Sequence, residues 1–433
     1  MTMKLKWIWT TAALFTLGGL GYVMAQSSQG NSGSSSAPAA PMDAMPGMPG
    51  MDSTKPALAS SSAALKTSLP QLRADLTLEL ARPYTPDVKL PDDYRCFVLD
   101  PKLEQDTFIS GYEVVPGNGK VVHHAILNVA TPEQQAEISG LDGKDGQEGW
   151  SCFGGTGLRS GVQLDKGQAL LTILRNGGLN KAALEELIQN TGMGGGGLGI
   201  GSWTPGSTAT LFPEGTGRLV PKGSLLVIQV HYNTLAGHDP DRTKVRLQLE
   251  RSAALKPLNT FVMAAPVELP CPAPSSSQVS SGTQCDRASA IQQGLDKYGS
   301  RAGKLPDYLL TFCDKKTADF SNQNPARVVS TCERTLSRDL TAEGVILHMH
   351  TRGLSASLER NPGTPQAQTL LEIPQWDFHW QGSYWYQEPI ALKKGDVIRI
   401  TCVWDNTQGD KPRYVTWGEG TQDEMCLGSL SVL

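Results

Sequence analysis

Short runs of β-branched and other apolar residues recur along this chain, and glycine, proline, asparagine or aspartate stands near the ends of the runs. This pattern predicts strands. The candidates are Val121–Val129, Leu225–Tyr232, Val245–Leu249, Gly344–His350, Ile390–Val403 and Cys426–Leu433. With 433 residues, 39% of them hydrophobic and 18% charged, the chain has apolar material for two or three cores. We therefore predict an all-β fold of two antiparallel sandwiches joined near residue 256.

Two insertions into these sandwiches are predicted to be helical. Asn180 can cap a helix that runs to about Gln189 and carries an apolar stripe. Asp286 can cap a second helix, in which Ile291 and Leu295 lie on the apolar face. Both insertions are short interruptions of a chain that is otherwise β.

The N-terminus has the layout of a secretory signal peptide. Two lysines precede an apolar run from Trp7 to Val23, and the small-residue pattern of a cleavage site ends at Ala25. A membrane anchor is the alternative, but the run is short and polar residues follow it at once. We predict that residues 1–25 are removed, which leaves a secreted or periplasmic protein with no transmembrane segment.

Residues 26–87 are predicted to form a flexible tether, because Ser, Ala, Gly, Pro and Met dominate most of this stretch. The two sandwich domains are then expected at residues 88–256 and 257–433. Four methionines recur at every third position of the tether: Met42, Met45, Met48 and Met51. In a polyproline helix they would line one side, and thioether sulfur favours Cu(I). The alternative is a low-complexity linker that happens to contain methionine.

The charge balance excludes a generally basic nucleic-acid-binding protein. Lysine and arginine number 38 against 42 aspartates and glutamates, which gives a net charge of −4, and no basic run stands out. The eight cysteines are an even number and can form up to four disulfides in an oxidising compartment.

Five of the seven histidines fall in three predicted strands: His123, His124, His231, His348 and His350. Residues i and i+2 of a strand share a face, so His348 and His350 can bind one ion while the residues beside them pack in a core. Adjacent residues point to opposite faces, so His123 and His124 can share an ion only at a strand end, a bulge or a strong twist.

A single histidine in a strand is most often a hydrogen-bonded, partly buried side chain. Three motifs that hold most of the histidines of the chain favour metal ligands instead. Imidazole clusters suit Zn, Cu, Fe or Ni. Because the cysteines are expected to be paired and no carboxylate stands between the histidines, a cysteine-type zinc site and a two-His-one-carboxylate iron site are disfavoured.

Five motifs resemble, in order, those of the copper type II, ascorbate-dependent monooxygenases, the family of peptidylglycine α-hydroxylating monooxygenase and dopamine β-monooxygenase. They are Tyr94-Arg95-Cys96, His123-His124, Gln229-Val230-His231-Tyr232, His348-Met349-His350 and Asp423-Glu424-Met425-Cys426. The match runs from about residue 88 to the C-terminus. It implies two tandem jelly-roll-like β-sandwich domains with short helical insertions, each domain holding one copper ion across an open cleft.

The resemblance also implies the ligands of two copper ions per chain. The first ion, which stores an electron, would be held by His123, His124 and His231, with Gln229 and Tyr94 as supporting residues. The second, at which O₂ and the C–H bond react, would be held by His348, His350 and Met425. Three imidazoles accept either copper oxidation state, whereas a soft methionine favours Cu(I). A core position is the alternative for Met425.

The cysteine pairing is inferred in two parts. By the family pattern, Cys96 pairs with Cys152 and Cys402 with Cys426. The other four cysteines lie in or beside the second insertion, where we expect Cys271 to pair with Cys285 and Cys313 with Cys332, among the possible connectivities.

The chain departs from the peptide-amidating branch of the family at the substrate. The positions of the Arg, Asn and Tyr that hold the carboxylate of the peptide there are Ile346, Leu427 and Ser429 here. A pocket without a bidentate arginine holds a carboxylate poorly, so we expect a neutral or apolar substrate. Aromatic walls for it are expected among Trp376, Phe378, Trp380, Trp385 and Tyr386.

Together these inferences predict a secreted copper monooxygenase. It would insert one oxygen atom of O₂ into a C–H bond of a small-molecule substrate and use an external one-electron donor such as ascorbate. The alternative is a non-catalytic copper-binding or copper-handling protein with the methionine-rich tether as its acquisition arm.

Overall fold

The computed structural model describes most of the chain from residue 71 onward. The described residues are 71–89, 92–152, 155–158, 198–252, 254–272, 285–298, 300–378, 381–407, 413–418, 420 and 422–433. They lie within one compact unit, Thr67–Leu433. The predicted signal peptide, the methionine repeat, the predicted helix Asn180–Gln189 and Trp380 fall outside the described residues.

The N-terminal half forms a two-layer sandwich. Its strands are β1 (Leu76–Glu79), β2 (Asp92–Leu99), β3 (Thr107–Val115), β4 (Val122–Ala130), β5 (Trp150–Ser151), β6 (Leu198–Trp203), β7 (Thr210–Leu211), β8 (Thr216–Val220), β9 (Leu225–Asn233), β10 (Lys244–Glu250) and β11 (Lys256–Pro257). One sheet has the order β1-β10-β3-β8-β11, with β7 also on β3, and the other has the order β5-β2-β9-β4-β6. Val114 and Leu247 from the first sheet meet Leu127 and Ile228 from the second in one core.

The C-terminal half forms a second sandwich. Its strands are β12 (Asn259–Ala264), β13 (Glu268–Leu269), β14 (Val328–Thr335), β15 (Leu340–His348), β16 (Gly353–Arg360), β17 (Gln368–Ile373), β18 (Tyr384–Leu392), β19 (Val397–Trp404), β20 (Val415–Thr416) and β21 (Leu427–Val432). The sheet β12-β21-β15-β18 faces the sheet β14-β19-β16-β17, and β13 pairs with β20. Leu347 and Leu430 meet Leu358 and Ile400 in the core between them. The predicted all-β class is confirmed.

Helices are few in the described part of the chain. They are α1 (Gln135–Leu141), α2 (Arg287–Tyr298), α3 (Ser300–Phe312) and α4 (Ala318–Ser321). Helix α2 confirms the predicted second insertion, since the carboxylate of Asp286 accepts from the backbone N–H of Ser289 at 2.8 Å. The sequence analysis missed α3, because Pro306 inside it is a helix-breaking signal. No described helix is long and apolar enough to cross a bilayer.

Two of the predicted boundaries differ from the structure. Strand β1 lies inside the predicted tether of residues 26–87, where its apolar residues pair with β10 along the edge of a sheet. The predicted strand Ile390–Val403 is wrong as a single element, because a tight turn separates β18 from β19. In that turn the N–H of Asp396 donates to the Lys393 carbonyl at 2.9 Å, and Gly395 has a φ of 93°.

All four expected disulfides are present: Cys96–Cys152, Cys271–Cys285, Cys313–Cys332 and Cys402–Cys426. The Cys402–Cys426 bridge joins β19 to the residue before β21, and it therefore fixes the backbone next to Met425. Cys96–Cys152 ties β2 to the end of β5. A chain-entropy argument gives each bridge about 2–4 kcal/mol of stability.

Trp385 of β18 connects the two sandwiches. Its indole packs against the core of the N-terminal sandwich, where the ring of Phe212 meets it edge-on with centroids 5.7 Å apart. Within its own sheet Trp385 pairs with Gly344 of β15. A Cβ at position 344 would lie 2.5 Å from Trp385 Cε3 and 2.8 Å from the carbonyl oxygen of Tyr384. The contact between the sandwiches therefore needs glycine at position 344.

Gly344→Ala is expected to lower the free energy of unfolding by about 1–3 kcal/mol, because the added methyl group displaces the Trp385 indole from its packing position. Urea denaturation followed by tryptophan fluorescence measures this change. Gly119→Ala is the matched control, since a Cβ there meets nothing within 4 Å. Equal urea midpoints of unfolding for the two variants would contradict the packing position described for Trp385.

Candidate metal centres

The first candidate centre is a triad of imidazoles formed by His123, His124 and His231. The Nδ1 atom of His123 lies 3.1 Å from that of His231 and 3.3 Å from that of His124. The Nδ1 atoms of His124 and His231 are 3.2 Å apart. Three nitrogen atoms thus converge on one point, and the triad could hold a metal ion.

A register shift brings the two adjacent histidines to the same side of the sheet. Strand β4 pairs with β9 as Val122 opposite Tyr232 and then as His124 opposite His231, so His123 is an extra residue in the ladder. This is a β-bulge, which re-aims a side chain that regular alternation would send to the other face. The bulge meets the geometric condition that the sequence analysis placed on this pair.

The tautomer of His231 is set by a carboxylate from the neighbouring strand. Its Nε2–H donates to Asp92 Oδ1 at 2.9 Å, and both side chains are almost fully buried. With the proton on Nε2, the Nδ1 lone pair of His231 points toward His123 and His124. A buried carboxylate also makes the imidazole a stronger ligand.

The surroundings hold the ring of His231 in place and favour the neutral form of His124. Tyr94 stacks on His231 with centroids 4.1 Å apart and an interplanar angle of 10°. Burial lowers the pKa of His124 well below its usual value, and the neighbouring imidazoles of His231 and His123 lower it further. Neutral imidazole is the form that binds metal.

Gln229 does not take the expected place beside a histidine. Its Nε2 donates to the carbonyl oxygen of Cys152 at 2.5 Å, within the small core around the Cys96–Cys152 bridge. The reason is that Gln229 lies opposite Cys96 of β2, whose disulfide brings Cys152 to the same place. The other histidines meet β9 only at position 231. Gln229 therefore supports the disulfide side of the sheet.

The donor set and spacing of the triad fit a first-row transition metal. Imidazole nitrogens bind such ions at about 2.0–2.1 Å, the value for zinc. The three Nδ1 atoms, 3.1–3.3 Å apart, are close enough together that one such ion could be bound by all three.

The second candidate centre is the C-terminal pair, His348 and His350. They lie at and just beyond the end of β15, and their ring centroids are 5.1 Å apart. His348 Nδ1 contacts Gln381 Oε1 at 2.5 Å, and His350 Nδ1 contacts the carbonyl oxygen of Asp423 at 3.0 Å. Both acceptors take a proton from Nδ1, which leaves the Nε2 lone pair of each ring for a ligand bond.

The pKa values of the C-terminal pair also favour neutral rings. Burial lowers the pKa of His348, although the bond to Gln381 partly offsets this effect. Burial lowers the pKa of His350 well below its usual value, and the nearby His348 adds to that shift. Between the two histidines in sequence, Met349 is fully buried in the core, as the strand alternation predicts.

Met425 lies just beyond the β15–β21 ladder. The last pair of that ladder sets His348 opposite Leu427, and Met425 precedes Leu427 by two residues. Residues two apart in an extended segment share a face. Met425 is only partly buried at the edge of the core, which leaves part of its side chain outside that core.

Glu424 holds the backbone beneath this centre. Its buried carboxylate accepts from the N–H groups of His350 and Arg352 at 3.0 and 2.6 Å and from Trp404 Nε1 at 3.0 Å. Burial raises its pKa to about 7, and these donors act against the rise. One side chain thus fixes the turn after His350 relative to the segment that carries Met425.

The expected substrate-pocket residues lie on one face of the β15–β21 ladder. Ile346 pairs with Ser429 as His348 pairs with Leu427, so all four share a face, and all four are half-buried. Three of the expected aromatic wall residues pack against a core. Trp376 and Tyr386 pack on the C-terminal core, and Trp385 packs on the N-terminal core.

Phe378 lies between the two centres. Its ring stacks on His123 with centroids 5.1 Å apart and meets His350 edge-on at 6.1 Å. The resemblance implied an open cleft between two copper sites. In the structure, one histidine of the triad and one of the C-terminal pair both contact the ring of Phe378.

Three residues of these centres were not predicted from the sequence: Asp92, Gln381 and Glu424. Glu424 belongs to one of the quoted motifs, and Phe378 was expected only as an aromatic wall of the substrate pocket. Asp92 and Gln381 carried no signal, because their partners are 139 and 33 residues away in sequence.

Comparison with known proteins identifies the C-terminal part of the chain. Residues 312–430 match the family model described as copper type II ascorbate-dependent monooxygenase, C-terminal domain. This stretch contains His348, His350 and Met425, and it confirms the predicted resemblance. No curated protein matches the sequence.

Solved structures give only remote similarities. A Paenibacillus xanthan lyase is 10% identical over 81% of this chain and 25% of its own, with a TM-score of 0.17. The coconut allergen cocosin is 9% identical over 82% of this chain and 84% of its own, and the pro-11S globulin of pumpkin 12% over 84% and 86%, both with TM-scores of 0.14. This chain spans a quarter of the lyase. Such low TM-scores carry no argument.

Asp92→Ala is expected to weaken Cu(II) binding at the triad by about 10–100-fold, because the variant frees the tautomer of His231 and removes its carboxylate partner. A chelator competition titration measures the affinity, in a chain that also carries His348→Ala and His350→Ala so that only the triad is observed. Asp239→Ala, at an exposed aspartate, is the control. An unchanged affinity in the Asp92 variant would contradict this role.

Proposed function

We propose that this chain, whose residues 312–430 carry the C-terminal domain of the copper type II ascorbate-dependent monooxygenases, is a copper-dependent monooxygenase with two copper ions. The observation that carries the proposal is the state of the histidines in the two imidazole centres. Hydrogen bonds fix a ring-nitrogen lone pair on His231, His348 and His350. A structural histidine needs no such arrangement, whereas a metal ligand does.

The two centres differ in their ligands, and we assign them different tasks. The triad offers three nitrogen atoms and would hold an ion that is stable in both oxidation states. His348 and His350, with Met425 as a soft third ligand, would favour the reduced ion. Copper bound at these centres supplies the one-electron chemistry and the activation of O₂ that no side chain of the protein can supply.

The overall reaction we propose is the insertion of one oxygen atom into a C–H bond. One O₂, one substrate C–H group, two electrons and two protons give one C–OH group and one water. An external one-electron donor such as ascorbate supplies the electrons in two steps. The residues of the chain hold and orient the ions, exclude water with Phe378 and receive the substrate.

The pocket face favours a neutral, apolar substrate. Beside the C-terminal pair, the β15–β21 ladder presents Ile346, Leu427 and Ser429, of which only Ser429 can form a side-chain hydrogen bond. None of the three can pair with a carboxylate as an arginine does. We therefore propose a substrate without a carboxylate next to the reacting carbon.

The cysteines support the location that we propose for the protein. All eight are paired in four disulfides, and such bridges persist in oxidising compartments. With the N-terminal signal pattern, this favours a secreted or periplasmic protein. The domain division at about residue 256, and a copper-related task for the methionine repeat, remain proposals of the same kind.

Copper content tests the two-centre arrangement. In a chain whose repeat methionines (Met42, Met45, Met48 and Met51) are changed to leucine, we expect two copper ions per chain after dialysis. The double variant His348→Ala/His350→Ala should retain one, because the triad remains intact. His238→Ala, at an exposed histidine, is the control and should retain two. One ion or none in the parent chain would refute the arrangement.

Turnover tests the role of Met425. Met425→Leu keeps the volume but removes the sulfur, and substrate-stimulated O₂ uptake with ascorbate is expected to fall by about a hundredfold or more. Met349→Leu is the matched control, because Met349 lies in the core and tolerates a volume-conserving change. Full activity in the Met425 variant would exclude it as a ligand.

A parent chain that binds two copper ions but shows no stimulated uptake with any neutral substrate would favour the copper-handling alternative.

A further inference from the structure

We infer that Phe378 is a specificity-determining residue, which closes the side of the C-terminal pair that faces the triad and restricts the substrate to small molecules. The inference rests on the proposed function. Its structural basis is the position of one half-buried ring against both centres, stacked on His123 and edge-on to His350.

Hydrogen bonds formed by residues on both sides of Phe378 in the sequence hold its ring in place. The backbone N–H of Trp376 donates to the Leu354 carbonyl at 2.9 Å, and Trp376 Nε1 donates to the carbonyl of His350 at 3.1 Å. On the other side of Phe378, the Thr204 hydroxyl of the N-terminal sandwich donates to the Gln381 carbonyl at 3.3 Å. The segment that carries the ring is therefore fixed at both ends.

Gln381 couples the position of the ring to the C-terminal pair. Its Nε2 donates to the carbonyl oxygen of Phe378 at 2.7 Å, while its Oε1 accepts from His348 Nδ1. Both ends of the amide are used, and exchanging them would break both bonds. The side chain of Gln381 thus orients His348 and also positions Phe378 beside His350.

The ring of Phe378 limits how much of the pocket face a substrate can occupy. Ile346, His348 and His350 follow one another at every second residue on the same side of the chain, so Ile346 lies about 13 Å from His350 by the rise of a strand. Phe378 covers the His350 end. Beyond Ile346 on this face, Trp385 lies against Gly344, so a molecule on the pocket face has Trp385 at one end and the ring of Phe378 at the other.

Ligands of graded size test this inference with a binding readout. Carbon monoxide and tert-butyl isocyanide are titrated onto the Cu(I)-loaded full-length chain and followed by infrared spectroscopy. The His348→Ala/His350→Ala variant identifies the signal that belongs to the C-terminal pair. In Phe378→Ala, we expect the Kd for the isocyanide to fall by about tenfold or more, since the pocket gains the volume of a ring. The Kd for carbon monoxide should stay within about twofold.

Two further variants sharpen the test. Phe378→Leu keeps most of the packing and should give an intermediate shift in the Kd for the isocyanide. Tyr384→Ala, at a more exposed aromatic residue of β18, is the control and should leave both constants unchanged. Equal isocyanide binding in the parent chain and Phe378→Ala, with copper and carbon monoxide bound at the C-terminal pair, would overturn the inference and leave the proposed function standing. No copper at the C-terminal pair would overturn both.

Discussion

The register shift between β4 and β9 is the constraint on which the triad depends. In a regular strand His123 and His124 would point to opposite sides of the sheet, and His231 could meet only one of them. The extra residue at position 123 turns both toward His231. The ladder between β4 and β6 begins at Ala125, so at the shift itself β4 pairs with β9. A bulge re-aims side chains, and here it brings three Nδ1 atoms together.

Hydrogen bonds then decide which ring nitrogen is available. Asp92 holds the proton of His231 on Nε2, whereas Gln381 and the Asp423 carbonyl hold the protons of His348 and His350 on Nδ1. The triad therefore offers Nδ1 and the C-terminal pair offers Nε2. Each supporting group comes from a different strand or loop, so the ligand geometry depends on complete folding of both sandwiches rather than on any local motif.

The segment from Trp376 to Trp385 connects the two halves of the molecule. Trp385 seats against Phe212 of the N-terminal core, Gln381 meets Thr204, and Phe378 meets His123. The same segment touches both histidines of the C-terminal pair. The described residues of this stretch therefore contact both centres. Any change that displaces this stretch should affect both centres together.

The sequence by itself determined the all-β class, the five histidines and, through the family pattern, two disulfides, since strand propensity, alternation and motif order are local properties. It misjudged the edge strand Leu76–Glu79 and the turn within Ile390–Val403, because pairing partners and turn geometry decide those boundaries. Only the tertiary structure could decide that Asp92 supports His231, that Gln229 does not, and that Phe378 fills the space between the centres. Those contacts join residues distant in sequence, and their geometry exists only once the strands of each sandwich have paired and the two sandwiches have packed together.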